Sequence, residues 1–256
     1  MSALRDDLGA HVPLPPCVHR VVSLVPSLTE ALAATDRRLL VGATDWCTHP
    51  ADLDVTRVRG TKNPDVDRVL ALEPDLVVAN EEENRAADLH ALRAAGTPVW
   101  VTAPRTVPEG CRSLDRMLRA CGLEKPAWLS AAAAVWDTPV PPPQLHALIP
   151  IWRRPWMALG RDTFAGDMLL RLGVANVLAD AAERYPKVEL AELPAYDVVV
   201  LPDEPYAFAA DDGPEAFPDV ACALVSGRHL TWYGPSLVEA RQVLTAQLTA
   251  RGRAQR

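Results

Sequence analysis

Two tryptophans come directly after predicted strands, where α/β proteins place ligand-binding side chains. Trp46 follows a predicted strand at Leu40–Ala43, and Trp232 with Tyr233 follows one at Ala221–Val225. In open α/β sheets, ligands bind outside the carboxyl ends of the strands. An indole face offers a large flat contact area, so these residues favour a flat ligand such as a macrocycle or an aromatic chelate. The alternative is that they are ordinary hinge or core aromatics.

Charged and hydroxyl side chains follow the ends of other predicted strands and form a second group of candidates. They are Thr61, Lys62, Glu82 and Arg105 in the first half of the chain, and Arg161, Thr163 and Glu204 in the second. Ammonium and guanidinium groups would bind carboxylates or phosphates on a ligand, and carboxylates would hold a cation or a polar edge. The mixture predicts a polar ligand held by several contacts. Glu82 and its neighbours could equally form a solvated face, and Thr163 could simply cap a helix.

Two Cys-x-His pairs raise the question of a metal site. Thiolate and imidazole suit zinc or copper, but this spacing differs from the usual separation of about two to four residues between cysteine ligands. Cys17 and His19 lie at the start of a strand, away from the expected site. Cys47 and His49 remain weak metal candidates, and no cofactor is predicted with certainty.

Catalytic signatures are missing from the sequence. It contains no nucleophile elbow, phosphate-binding P-loop, His-Glu-x-x-His helix or dinucleotide fingerprint after a strand. We therefore predict a binding protein rather than an enzyme. Two alternatives stay open: a cytoplasmic enzyme using Glu81–Glu83 with Asp203 and Glu204, or an intracellular metal or cofactor chaperone or sensor using Cys47 and His49.

Short β-branched runs alternate with helical patterns along the chain, which predicts an α/β fold with mainly parallel sheets. The predicted strands cover residues 18–25, 40–43, 76–79, 99–101, 156–159, 198–201 and 221–225. The predicted helices cover residues 27–34, 65–72, 85–95, 107–121, 126–136, 164–172 and 236–248. Ser27 with Glu30 is predicted to form a capping box for the first of these helices, and Ser236 to cap the last.

A proline-rich stretch near the middle of the chain predicts a domain boundary. Residues 138–143 contain four prolines and are expected to be extended and stiff. We predict an N-terminal α/β lobe over residues 1–106, a helical connector and linker over 107–143, and a C-terminal α/β lobe over 144–256. Sites commonly form at such domain interfaces, so a ligand cleft is expected between the lobes.

Composition excludes several classes of protein. The 256 residues include 26 Lys and Arg against 33 Asp and Glu, a net charge of −7 that argues against a general nucleic-acid binder. No stretch approaches the roughly 18–20 apolar residues of a membrane helix, and no secretory signal pattern is found. Five cysteines do not indicate a disulfide framework. The expectation is a monomeric cytoplasmic protein with reduced thiols.

Four phrases in collinear order give the chain a family resemblance. They are Arg20–Glu30, Val66–Val78, Gly160–Phe164 with the following Leu169–Val177, and Thr231–Ser236. Together they resemble the helical-backbone (class III) substrate-binding proteins of the ABC transporters that import cobalamin, haem and siderophores. The match runs from about Arg20 to Leu248.

This resemblance carries its own expectations. It implies two Rossmann-like lobes with central parallel sheets, a helical connector and a ligand held between the lobes. It further implies a corrinoid (cobalamin-like) or other metal chelate as the bound molecule and an ABC permease as a partner. Trp46 and Trp232 match positions where the family places aromatic side chains in contact with the ligand. Exported members carry a leader, which the sequence does not show.

Overall fold

The computed structural model describes residues 4–250, which form two compact units. Unit 1 comprises Met1–Pro104, Glu109–Ala133 and Tyr233–Pro235, and unit 2 comprises Arg105–Pro108, Ala134–Trp232 and Ser236–Arg256. Residues 1–3 and 251–256, at the ends of the two predicted lobes, lie outside the described residues.

Unit 1 is built on a five-stranded parallel sheet with the strand order β3-β2-β1-β6-β7. Its strands and the short antiparallel hairpin beside it are β1 (Val21–Ser23), β2 (Leu40–Ala43), β3 (Thr56–Arg57), β4 (Arg59–Gly60), β5 (Asn63–Pro64), β6 (Leu76–Asn80) and β7 (Val99–Thr102). Every residue of β6 is buried, as expected for a central parallel strand covered on both faces.

Five helices accompany this sheet: α1 (Pro26–Asp36), α2 (Val66–Ala71), α3 (Ala86–Ala94), α4 (Val107–Ala120) and α5 (Ala127–Trp136). One face of the sheet packs its valines against Val69 of α2 and Leu89 and Leu92 of α3. The division between the units falls inside α4 and α5, the helices that the sequence places in the connector.

Unit 2 is built on a four-stranded parallel sheet with the order β11-β8-β12-β13. Its elements are β8 (Leu145–Leu148), β9 (Pro150–Arg153), β10 (Trp156–Ala158), α6 (Phe164–Arg171), β11 (Val174–Asn176), β12 (Val198–Pro202), β13 (Ala221–Val225), α7 (Gly227–Thr231) and α8 (Leu237–Thr249). Leu148, Val199 and Leu201 pack with Phe208 and Phe217 in its core.

The α/β class with two parallel sheets is confirmed, but several elements differ from the prediction. The strand at Trp156 pairs with β9 in an antiparallel ribbon, makes one further antiparallel bridge from Met157 to Lys187, and does not join the main sheet. Strands β8 and β11 and helix α7 were not predicted. They are short, and the exposed His146 breaks the apolar pattern of β8.

Two predicted helix caps are wrong, because no side chain caps α1 or α8. Helix α1 begins at Pro26 with Val25 as its N-cap, while Ser27 and Glu30 are buried. Proline is favoured at the first helical position because its fixed φ suits the helix and its missing N–H has no partner there. The Ser236 side chain likewise makes no capping hydrogen bond.

None of the helices within residues 4–250 combines the length and the apolar character needed to cross a membrane.

Candidate functional site

Trp46 projects from unit 1 at the carboxyl end of β2. The backbone there is fixed by a 2.8 Å hydrogen bond from Asp45 N–H to the carbonyl of Arg59. Gly60 lies beside the indole, since a Cβ on Gly60 would stand 3.2 Å from Trp46 Nε1. The Trp46 side chain is nevertheless 66% exposed, the largest exposure among the large hydrophobic residues described as exposed. An exposed indole beside a glycine is available to stack on a ligand.

Three further candidates lie together in the same unit. The Lys62 ammonium donates a hydrogen bond to the backbone carbonyl of Glu82, which joins the loop between β4 and β5 to the loop after β6. Thr61 is buried, and its carbonyl accepts a 2.9 Å hydrogen bond from Asn84 Nδ2. Thr61, Lys62 and Glu82 are therefore neighbours, whereas the sequence placed them only at separate strand ends.

Two asparagines hold the acidic loop after β6, a role that the sequence analysis missed. Asn80 Oδ1 accepts hydrogen bonds from the N–H groups of Glu82 (2.8 Å) and Glu83 (3.1 Å). Asn84 Oδ1 accepts one from Asn80 N–H at 2.9 Å, which closes the loop on itself. Asparagine at both ends of the acidic run was the available signal, since its side chain commonly bonds nearby backbone groups. The loop presents its carboxylates from a fixed backbone.

Tyr233 is buried at the carboxyl ends of β6 and β7. Its hydroxyl lies 2.8 Å from Asn80 Nδ2 and 2.7 Å from Thr102 Oγ1. Burial raises the pKa of the phenol well above its usual value, although both hydrogen bonds oppose that rise. The hydroxyl therefore stays protonated and serves to anchor this segment.

In unit 2, Trp232 and Glu204 are in direct contact. The indole Nε1–H donates a 2.9 Å hydrogen bond to Glu204 Oε2, and the Trp232 side chain is only 7% exposed. The Arg228 guanidinium lies 6.0 Å from the centre of the indole ring, within cation–π range. Trp232 is thus held by charged groups of its own unit.

The other candidates have separate surroundings. Thr163 is buried and caps α6, its Oγ1 accepting a 3.2 Å hydrogen bond from Gly166 N–H. Arg161 is exposed and 3.8 Å from the Asp162 carboxylate. Arg105 is half-buried and belongs to unit 2. The capping predicted for Thr163 is confirmed, and a ligand contact by any of the three stays a prediction.

The surroundings of Cys47 disfavour a metal-binding role. Its thiol is buried, and Thr29 and Thr44 contact Sγ at 3.0 and 3.1 Å. Burial raises the pKa of the thiol, whereas metal binding needs the thiolate. His49 is exposed, with Nδ1 at 3.2 Å from the Thr48 hydroxyl. Within residues 4–250, no group of three or more His, Cys, Asp or Glu side chains is arranged to hold a metal ion.

The structure therefore brings the predicted residues together in two sets. Thr61, Lys62 and Glu82 lie together in unit 1, Trp46 lies beside Gly60, the residue before Thr61, and Tyr233 supports the same edge of the sheet. Glu204 and Trp232 are linked in unit 2. That the two sets face one cleft stays a prediction from the sequence.

Comparison with known proteins gives consistent matches. Residues 21–123 match the family model described as periplasmic binding protein. A vitamin B12-binding protein of Pectobacterium carotovorum is 24% identical over 254 residues, which cover 90% of this chain and 88% of the relative.

Solved structures extend the match to nearly the whole chain. The periplasmic vitamin B12-binding protein of Vibrio cholerae superposes with a TM-score of 0.72 at 19% identity, over 91% of this chain and 97% of the other. A periplasmic heme-binding protein from Roseiflexus sp. RS-1 superposes with a TM-score of 0.65 at 20% identity, over 90% and 99% of the two chains. These relatives are named for what they bind, which supports the prediction of a ligand-binding protein. By sequence match and by fold, the chain is similar to the periplasmic binding proteins, as its resemblance to the helical-backbone substrate-binding proteins of ABC transporters implies.

Proposed function

We propose that the chain binds a flat, polar metal chelate of the corrinoid class, cobalamin-like in size and chemistry. Trp46 supplies an aromatic face, and the neighbouring Lys62 and Glu82 supply polar contacts from the same unit. Trp232 and Glu204 are the corresponding groups in unit 2, with Arg105, Arg161 and Thr163 as further contacts.

The exposure of Trp46 is the observation that carries this proposal. A large aromatic side chain left 66% exposed forgoes the stabilisation that burial would give it, roughly 1.5–3 kcal/mol for a large apolar group. Stacking on a flat ligand would recover part of that stabilisation. The backbone beside Trp46 is fixed by the hydrogen bond between Asp45 and Arg59, so little backbone ordering is required on binding.

The polar groups of the same unit favour a ligand with hydrogen-bonding edges over an apolar one. Lys62 is bonded to the backbone of the loop after β6, and its charge acts on the Glu83 carboxylate in that loop, so opposite charges lie close together. A corrinoid carries a flat ring with polar substituents, and such a pattern suits both kinds of side chain. The names of the B12-binding relatives support the corrinoid class, and the heme-binding neighbour makes haem the alternative to be tested.

An ABC permease is the partner that this function needs. The resemblance to importer components implies it, and release of the ligand to a membrane transporter would complete the role. Co-purification of the full chain with candidate permeases of its host would test this part separately.

The direct test of the ligand is native mass spectrometry and absorbance of the full chain purified from its own host. A bound corrinoid adds its mass and a visible spectrum, and we expect both. For protein purified without ligand, cyanocobalamin should raise the melting temperature and quench tryptophan fluorescence at tens of micromolar.

Hemin is the matched probe in both assays. A response to hemin without a response to cyanocobalamin would overturn the corrinoid class and support a haem ligand. A response to neither would contradict the proposed function.

A further inference from the structure

Around Trp232, the contacts continue beyond its bond to Glu204 into a chain of charged groups. Arg228 lies over the indole, and its Nη1 is 3.5 Å from Glu239 Oε1 on α8. The same carboxylate oxygen is 3.1 Å from His229 Nε2. His229 is therefore two contacts away from the indole.

The His229 ring is bonded at both nitrogens. Its Nδ1 lies 2.8 Å from the Ser226 hydroxyl, and its Nε2 lies 3.5 Å from Arg228 Nη1 as well as close to Glu239. A neutral imidazole has one nitrogen that donates and one that accepts, whereas a protonated ring donates from both. Because Nε2 lies 3.1 Å from the ionised Glu239 carboxylate, Nε2 carries the hydrogen of the neutral ring and Nδ1 accepts from the Ser226 hydroxyl. Protonation therefore takes place at Nδ1 and adds a positive charge beside Arg228.

We infer that Glu204, Arg228 and Glu239 are positioning residues for the Trp232 indole, and that protonation of His229 shifts Arg228 and so changes the surroundings of that indole. A protonated His229 binds the Glu239 carboxylate more strongly than the neutral ring does, and Arg228 contacts the same oxygen. The contact between Arg228 and Glu239 of α8 is then lost, while Arg228 remains next to the indole ring of Trp232. The role of these groups in ligand capture rests on the proposed function, whereas their action on the indole does not.

Charged and polar groups lie near His229 on α7 and on the elements packed against it. Arg228 is on α7 itself, Glu239 is on α8, and the Ser226 hydroxyl follows β13. Helix α6 also packs against α7, and its Asp167 and Arg171 are paired with each other at 2.8 Å. The pKa of Glu239 is held below its usual value, first by the hydrogen bond with His229 and further by Arg228. Glu239 therefore stays ionised through the range in which a histidine titrates.

The indole N–H resonance of Trp232 in the full ¹⁵N-labelled chain tests this inference. The Trp232→Phe variant identifies the resonance by its disappearance. Between pH 8 and pH 5, values that bracket the usual histidine pKa of about 6.5, we expect the resonance to move through one transition. That transition should be lost in His229→Gln and in Glu239→Gln. Glu204→Gln should shift the resonance at every pH, because it removes the charged acceptor.

The His146→Gln variant is the matched control. His146 Nδ1 lies 3.4 Å from Asp197 Oδ2, so it forms the same kind of pair in the same unit away from Trp232. The transition should survive in that variant. A transition that persists in His229→Gln, or a Trp232 resonance that does not move in the wild type, would overturn the inference.

Cyanocobalamin affinity at pH 7.5 and pH 6.0 adds the functional readout. We expect a several-fold weaker affinity at the lower pH in the wild type and a smaller change in His229→Gln. Failure of cyanocobalamin and hemin to bind at all would contradict the proposed function, while the resonance would still decide the inference.

Discussion

The side-chain amide of Asn80 donates a 2.8 Å hydrogen bond to the hydroxyl of Tyr233, 153 positions further along the chain. Thr102 contacts the same hydroxyl at 2.7 Å and also donates to the carbonyl of Ala79. Tyr233 belongs to unit 1, while the adjacent Trp232 belongs to unit 2. The buried phenol thus anchors the segment that carries both predicted aromatic residues.

Replacing the tyrosine tests the strength of this anchor. Tyr233→Phe keeps the ring and removes the hydroxyl, leaving two buried partners with one hydrogen bond fewer each. We expect the free energy of unfolding in urea to fall by about 1–2 kcal/mol. Tyr196→Phe is the control, since the Tyr196 hydroxyl makes no hydrogen bond within residues 4–250, and its effect should stay within about 0.5 kcal/mol. Equal effects from both variants would contradict the anchoring role.

Thr163 offers a test that separates capping from ligand contact. Thr163→Ala removes the cap of α6 and should lower the free energy of unfolding by about 1 kcal/mol. Thr163→Ser keeps the hydroxyl and should restore most of it. A wild-type stability in the alanine variant would show that the cap contributes nothing, and a loss of cyanocobalamin affinity in the serine variant would point to a contact by the methyl group.

Cysteine reactivity should follow burial. Burial raises the pKa of the Cys121 thiol to about 12, and that side chain is only 2% exposed. The folded pKa lies above the unfolded one. The stability that the neutral thiol contributes is therefore complete below the unfolded pKa and falls as pH rises from there towards the folded pKa.

Iodoacetamide at pH 8 should therefore label the exposed Cys17 first. Cys121 and Cys47 should react at least about tenfold more slowly, because the protein must open locally before the reagent reaches them. A free energy of local opening of ~1.4 kcal/mol already slows labelling by that factor. Mass mapping of labelled peptides with time measures this order. Comparable rates for Cys17 and Cys121 would contradict the burial described here.

Gly227 tests the packing of α7 against the loop that carries Glu204. A Cβ at this position would lie 2.6 Å from Glu204 Cβ and 2.7 Å from its backbone nitrogen. Gly227→Ala should therefore cost about 1–3 kcal/mol of stability, as overpacking usually does. It should also shift the Trp232 indole resonance, because the contact with Glu204 is displaced. An alanine variant with an unchanged melting temperature and an unchanged resonance would refute this packing.

The sequence predicted those parts of the fold that depend on local pattern. The strands at Leu40–Ala43 and Ala221–Val225 match residue for residue, because continuous apolar runs next to turn residues leave little choice of boundary. Helix α5 ends at Trp136 as predicted. Strand β8 was missed because its four residues include the exposed His146, and α7 because five residues carry too little periodicity.

The sequence predicted where the candidate residues lie along the strands, but not which of them are in contact. Strand ends correctly indicated where Trp46 and Glu82 would lie, since chain direction fixes which edge of a parallel sheet they occupy. The pairing of Trp232 with Glu204 joins residues 28 positions apart, and that of Asn84 with Leu24 joins residues 60 positions apart. Such contacts depend on how the whole unit packs, and no local pattern encodes them.

The most direct test of the proposed function is calorimetric titration of the full chain with cyanocobalamin, comparing wild type with Trp46→Ala. We predict saturable one-to-one binding at tens of micromolar or below, weakened by more than ~1 kcal/mol in the variant. Because Trp46 is mostly exposed, its loss should leave the melting temperature unchanged. Trp152→Ala, which removes another exposed tryptophan, should bind like the wild type. Equal affinity in wild type and Trp46→Ala would contradict the account.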